Sequence, residues 1–591
     1  MSDFTNQDLD PIRLEVIRNR LNAAANEMAV ALQRAAYSTN IKTRLDFSCA
    51  IFDSSVRVIA QSFSQPNHLG SLAHFVPQMI ADYGLKRLQS GDGILSNDGH
   101  RGGVHLNDVC LVSPVFYKDT LVAFVAAIAH HVDVGGSTPG SLVGLSKEIY
   151  QEGLRIPPVR LLADGQLNDD IFGLIMNNLR SPKETAGDLR AQVASVNRGI
   201  RQLTEIIARY GRTTITQAVE EMLNHTERQV KEEIAKIPRG IYTAEGYMDN
   251  DGLTDEPIKI CVKITVTDGK VIYDLHGSDS QRPCPINATY AMTLSNCAYT
   301  LRALMEADVL VNDGFYRAIE VIAPPGSIVN AHHPAAIGGG WETAFRVLET
   351  CFQAFASAIP ERLTAGSKGC LCNIALGGES RRPGDFFVFY ESMGGGYGAR
   401  LAKDGIDAIQ PHAQNTENSP VEEIEANYPF RIVRYELIPD SEGAGRFRGG
   451  LGLRRDYAFD HPVVFSVLAD RAKFPPWGLA DGLPARPAKY ILNPDANPQE
   501  FPSKLSLELQ TSDIFSIQMG GGGGYGPPWL RQPSHLLDDV LAEKISVERA
   551  RDVYGVVIDS AHMIVDEDAT RVLRENMCRQ AESFERISDE P

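Results

Sequence analysis

The stretch from Val109 to His131 constrains the fold most. It reads VCLVSPVF, then YKDT, then LVAFVAAIAHH, an apolar run, a turn and a second apolar run. That pattern is a buried β-hairpin. With the turn centred on residues 118–120, antiparallel partners have numbers summing to about 237 or 238, which sets Asp108 opposite residue 129 or 130. Directly opposed residues project to the same face. Asp108 and His130 therefore meet across the strands, and the preceding loop brings back His105.

Two imidazoles and a carboxylate converging in this way form a site suited to Zn²⁺, Mn²⁺ or Fe²⁺. A fourth ligand must come from elsewhere, and Asp46 is the candidate. The same residues permit a plainer arrangement, in which His105 and Asp108 stabilise a turn and His130 is a satisfied core histidine. Successive strand residues point to opposite faces, so a one-residue slip exchanges His130 and His131. His131 is the alternative ligand, with Asp133 beside it as an orienting partner or general base.

Around this hairpin, residues 11 to about 37 read as one long amphipathic helix, with Asp10 as N-cap and Pro11 at its first position. Residues 41–60 then form short extended runs around Asp53, Ser54 and Ser55, which is hairpin-like. The Gly-rich stretch 88–108 reads as a loop. Segments 188–210 and 215–235, divided by Gly211, form a helical hairpin that closes a first region at about residue 240. From 241 to about 535 the texture changes to β-branched runs such as IKICVKITV and KVIYDL, a sheet-rich region with Gly-rich loops. Residues 536–591 return to a charged helical pattern, a peripheral tail. The expected class is α+β: mixed, largely antiparallel sheets with long amphipathic helices in a multi-lobed chain.

At 591 residues the chain exceeds what one hydrophobic core serves, so two to four packed units are expected. A net charge of −18 repels a phosphate backbone, which argues against nucleic acid as a partner. There is no run of about 18 apolar residues, and the opening MSDFTNQDLDPIRLEV lacks a basic region followed by an apolar one, so a cytoplasmic protein away from membranes is expected. Nine scattered cysteines are expected to be reduced, and Cys370-x-Cys372 lacks the second pair of a structural zinc site. The glycines at 520–524 compose a GxGxxG, but Pro527 and Pro528 follow where a phosphate-binding helix would start, and no GxxxxGK[ST] is present. This chain is therefore not expected to hold ATP. The cluster Arg446, Arg448, Arg454 and Arg455 could grip an anion, but in an acidic protein it is expected to pair internally.

The ordered motifs NDGHRGGVHLNDV, HHVDVGG, NLRSPKETAGDLRAQ, GGGWETAFRV, YELIPDSEGAGRFRGGLG and GGGGGYGPP resemble the hydantoinase B/oxoprolinase family over about residues 10–555. The resemblance implies a subunit of an ATP-dependent enzyme that opens cyclic amides (hydantoins, 5-oxoproline, lactams) or carboxylates ketones such as acetone and acetophenone. It also implies that ATP is bound by a companion hydantoinase A-type subunit with an actin-like kinase fold, hence a hetero-oligomer. A divalent metal is implied at Asp46, His105, Asp108 and His130, serving metal-assisted hydrolysis of a substrate phosphorylated by the partner. Two alternatives stand beside the hydrolase: a ketone carboxylase subunit, and a non-catalytic scaffold. One departure is visible, because the family's Asn-Asp-Pro-Tyr is replaced by Asn97-Asp98-Gly99-His100, and His100 could compete as a ligand.

Overall fold

The computed structural model describes residues 10–588; residues 1–9 of the first region and 589–591 of the tail lie outside it. Helix α1 (Pro11–Ala35) starts as its sequence requires: the Asp10 carboxylate accepts a hydrogen bond from Ile12 N at 3.2 Å, and Pro11 occupies the first turn, where no amide is needed. Its buried stripe is Ile17, Leu21, Ala24, Met28 and Leu32. A single turn, α2 (Thr39–Lys42), follows, and then the strands β1 (Phe47–Asp53) and β2 (Val58–Gln61). Helix α3 (Pro66–Tyr83) leads to β3 (Gly93–Ser96), β4 (Asp108–Tyr117) and β5 (Thr120–His130).

The predicted hairpin is β4–β5, turning through Lys118 and Asp119, both at positive φ (48° and 60°). Asp108 pairs with His130, a sum of 238 that holds down to Val115, where a bulge shifts the last pairs by one. The stretch 88–108 differs from its reading as plain loop, because Ile94 and Leu95 pair with β4 and extend the sheet. With β6 (Val159–Ala163) and β7 (Gln166–Leu167) the first sheet has seven strands in the order β2-β1-β5-β4-β3-β6-β7.

Both faces of that sheet are covered, which is why its strands read as unbroken apolar runs. Cys49, Ile51, Leu111, Val125 and Ala127 belong to one core, shared with α1 and the helical hairpin α4 (Pro182–Tyr210) and α5 (Arg212–Ile234). Ala50, Phe52, Val112, Phe124 and Ile128 alternate with them into a second core, which contains α3. Each large side chain so buried contributes about 1.5–3 kcal/mol.

The second core continues under a four-stranded sheet built from β8 (Gly240–Met248), β9 (Ile258–Val266), β10 (Val271–Asp274) and β11 (Ile319–Ile322), parallel only at β10–β11. Two apolar helices, α6 (Tyr290–Ala303) and α7 (Gly340–Ala356), lie within this sheet-rich span and fill the space between it and α3. Next come β12 (Asn373–Glu379) and β13 (Phe386–Ser392), which form a sheet with 463–468 and 504–509. A five-stranded sheet, beginning with 430–438 and 452–459, shares with it a core around Phe389, Phe430, Tyr457, Phe465 and Phe515. The tail packs helices 533–541 and 547–552 around a small core that includes Ala444, and helix 567–588 joins them through Arg574, which donates to Tyr554 O and Arg531 O. The class is α+β.

Two of the glycine clusters pack backbone against backbone. Segments 394–398, 443–452 and 520–526 lie side by side, with Gly396 N donating to Gly520 O (3.1 Å), Gly522 N to Gly450 O (2.9 Å) and Gly443 N to Gly522 O (2.8 Å). The segments approach so closely that a β-carbon at Gly449 would overlap the Gly522 carbonyl. Three of the four arginines pair internally: Arg448 with Asp407 and Asp539 at 3.0 and 2.9 Å, Arg454 with Asp456 at 2.7 Å, and buried Arg455 with Glu391, while Arg446 lies over the Phe447 ring. All nine cysteines are free thiols.

This packing is testable with a pair of glycine substitutions. Gly449→Ala should lower stability by about 3 kcal/mol or more, since backbone cannot yield as a side chain does. Gly173→Ala, at an exposed helical position with open space around it, should raise stability by about 0.5–1 kcal/mol. Urea denaturation of the two variants checks the contrast.

Candidate metal centre

Three adjacent strand ends of the first sheet present polar side chains in one row. In β1, Ala50 and Phe52 face the second core, so the even-numbered Asp46 just before the strand continues that face. His130 N donates to Asp46 O at 3.0 Å, extending the β1–β5 ladder by one step. Asp108 and His130 are the terminal β4–β5 pair and share the face of Ile128 and Cys110. His105 closes the row through a tight turn, with Asp108 N donating to His105 O at 3.1 Å.

The result is a buried polar cluster. One donor atom each from His105, Asp108 and His130 lies within 4.8 Å of the other two, the only such group of three among the described residues. His105 Nε2 is 3.0 Å from Asp108 Oδ2, and the His105 and His130 rings are 4.9 Å apart. The other Asp108 oxygen lies 3.3 Å from Nε2 of His68, which in turn lies 3.7 Å from Asp46 Oδ1. Asp46 thus reaches the cluster through His68. All five residues are at most 6 % exposed.

Helix α3 brings in His68 near its N-terminus, on the apolar face that continues as Leu72, Phe75, Val76 and Met79. Sequence reasoning missed this residue. Its only local signal is an imidazole in register with that stripe, just after Pro66 at the start of a helix. Two aromatic contacts were equally out of reach: Tyr390 of β13 stacks on His130 at 4.2 Å, and Trp341 Nε1 donates to Asp108 Oδ2 at 3.4 Å. The fully buried Arg44 lies over Tyr390 and donates to Asn40 Oδ1 (3.0 Å) and Ser392 Oγ (2.8 Å). The Asn40 amide lies 3.3 Å from His130 Nδ1, which leaves His130 Nε2 buried without a partner.

Electrostatics sort the members. Burial opposes ionisation of Asp108, but His105 and His68 beside it overcome that and hold its carboxyl well below the usual range. Burial, reinforced by His105, pushes His130 well below the ordinary imidazole value, so it is neutral at pH 7 with its lone pair available. Burial raises Asp46, with His68 and Arg44 pulling the other way. A neutral imidazole at His130 with an orphaned buried nitrogen, beside an ionised carboxylate at Asp108, is what a divalent ion requires of its ligands. The residues present fit such an ion.

The structure does not bring His131, Asp133 or His100 to this cluster. His131 follows His130 on the strand and so turns to the opposite face, where its Nε2 meets Gln192 Oε1 at 2.9 Å. Asp133 is ion-paired to Arg180 at 3.1 Å and accepts from the amides of Gly135, Gly140 and Arg180. It ties a loop to the start of α4. His100 bonds Ala335 O at 2.9 Å and meets His333 edge-on, in a surface recess. For Asp133, a tether and a proton carrier predict different variants. Asp133→Ala should cost about 2–3 kcal/mol in urea denaturation, because it strands a half-buried guanidinium and three amides, while metal content measured by elemental analysis stays at the wild-type level.

Comparison with known proteins places this geometry in context. Residues 10–528 match the model of the Hydantoinase B/oxoprolinase family. The B-type chain of a putative D-/L-hydantoinase from a Pseudomonas species is 34% identical over 96% of this chain and 98% of its own length. The crystal structure of the ATP-dependent caprolactamase from Pseudomonas jessenii superposes with a TM-score of 0.88 at 30% identity, covering 96% of this chain and 100% of that one. The nucleotide-free structure of an acetone carboxylase also superposes at 0.88, at 19% identity over 97% of this chain and 84% of that one, a likeness of fold. Relatives that match over nearly their whole length include chains named as enzyme subunits, the caprolactamase beta subunit among them. On the extent of the family match and these identities, the chain belongs to the hydantoinase B/oxoprolinase family.

Proposed function

We propose that this chain is the metal-bearing subunit of a cytoplasmic, ATP-dependent enzyme that opens cyclic amides, with ATP held by a companion hydantoinase A-type subunit. The observation that carries the reading is the buried set of His105, Asp108 and His130, with His130 Nε2 lacking any protein partner. Kinship with a hydantoinase subunit and a caprolactamase supports the amide class, and the absence of a phosphate-loop motif in the sequence supports a separate nucleotide subunit.

In this reading His105, Asp108 and His130 hold a divalent ion, Zn²⁺, Mn²⁺ or Fe²⁺, with Asp46 as the fourth ligand. When bound, the ion supplies Lewis acidity, polarising a carbonyl or phosphoryl oxygen and making water more acidic. The protein residues supply the rest. Tyr390 and Asn40 fix the His130 ring, and Trp341 orients Asp108. His68 Nε2 lies between carboxylates of opposite tendency, Asp108 held ionised and Asp46 raised by burial. It is placed to orient both carboxylates. The substrate, activated by phosphorylation on the partner, would be hydrolysed here.

The acetone carboxylase fold match keeps ketone carboxylation as a second reading, separable by whether turnover requires bicarbonate. A non-catalytic scaffold is the third. The deciding experiment is elemental analysis of the purified chain, together with ATP-dependent ring opening by the chain combined with its companion. About one equivalent of transition metal is expected. His105→Ala and Asp108→Ala should each reduce metal occupancy and ring opening by more than the roughly 10–100-fold that loss of an outer-shell partner costs. A metal-free wild-type chain with full turnover would refute the proposal.

A further inference from the structure

A second concavity lies on the opposite side of α3 from His68. It is a cavity of about 490 Å³, bounded by α1, the loop after β2, the first turns of α3, helix α6 and the segment 308–316. That volume falls in the range of small-molecule sites. Its walls are mainly apolar, including Ile59, Leu69, Ala298, Leu310 and Val311. Phe63 stands nearly wholly exposed among the residues lining it.

Neutral polar side chains such as Asn22, Asn26, Gln61 and Ser64 also line it, and its charged residues are Arg302 and Asp308. Arg302 contributes a guanidinium whose acidic partner is Asp308, at 3.3 Å and fully exposed. A pair of that kind contributes at most about 1 kcal/mol and yields readily to a better acceptor. Tyr316 also lines the cavity beside Gln61, with its hydroxyl turned into the protein. One available guanidinium and apolar walls suit a single carboxylate, which a guanidinium can bind with two parallel hydrogen bonds. They do not suit a phosphate group, which would need more charge than one arginine supplies. Walls contributed by five separate elements enclose a small molecule more readily than they seat a protein segment.

We infer that this cavity is a binding site, separate from the polar cluster, for a small monocarboxylate with an apolar body. The carboxylate replaces Asp308 on Arg302, and the body lies against Leu69, Ala298 and Leu310. Because Pro66, Leu69 and Gly70 form part of the wall while His68 faces the cluster, the ligand packs directly on the helix that delivers His68.

The test is isothermal titration of the full chain with 3-phenylpropionate, with 3-phenylpropan-1-ol as the uncharged comparison. Saturable binding of the acid is expected. Arg302→Ala should weaken it by about tenfold or more while changing alcohol binding by less than about twofold. Leu310→Trp fills the cavity and should weaken both ligands; if it lowers the thermal transition, Val311→Trp provides an independent filled cavity. His105→Ala should bind the acid as wild type does, which separates this site from the cluster and this inference from the proposed activity. Absence of saturable binding to wild type, an unchanged affinity in Arg302→Ala, or loss of binding in His105→Ala would each overturn it.

Discussion

The register of one antiparallel ladder governs this molecule. Asp108 opposite His130, with Asp46 one strand further on, sets three polar side chains on the same face at the end of a sheet that is otherwise apolar on both sides. Since strand side chains alternate, a slip of one residue would turn this row into the other core and bring His131 forward in its place. The slip is resisted all along β4 and β5, where large apolar residues alternate into two separate cores. The hydrophobic pattern that stabilises the sheet is therefore also what aims the polar row.

Polar groups held at most 6 % exposed must satisfy one another, because an unpaired buried charge costs several kcal/mol. Here the pairing is nearly complete. Asp108 is met by His105, His68 and Trp341, and Asp46 by His68. Arg44, fully buried, is absorbed by Asn40, Ser392 and the Tyr390 ring. What remains without a hydrogen bond is three imidazole nitrogens, His68 Nδ1, His105 Nδ1 and His130 Nε2, with Asp108 Oδ1 and Arg44 Nε. A bound ion is one explanation for such orphans, and here they adjoin the carboxylate that electrostatics keeps ionised.

Much of this was legible in the chain itself. Helix α1, its Asp10 cap, the β4–β5 hairpin with its pair sum of 238 and the two-helix closure of the first region follow from local periodicity and turn chemistry. Four of the five cluster residues were named from the same ladder argument and the family resemblance. The internal pairing of Arg448, Arg454 and Arg455 followed from charge balance. What escaped was of two kinds. The strand β3 hides in a Gly-rich stretch, because two apolar residues signal a strand only once a neighbour pairs with them. The backbone packing of the glycine segments, by contrast, depends on partners about 50 to 125 residues away.

Local pattern along the whole chain was enough for the α+β class, and pairing rules were enough for the hairpin and the convergence of His105, Asp108 and His130, because these depend on residues fewer than thirty positions apart along one ladder. Only the tertiary structure decided that His130, and not His131, faces the cluster, that His68 stands between Asp46 and Asp108, and that Tyr390 and Trp341 orient its members. Those outcomes depend on which helix covers which face of the sheet. Burial and docking of distant elements set that, and the local spacing of residues carries no record of it.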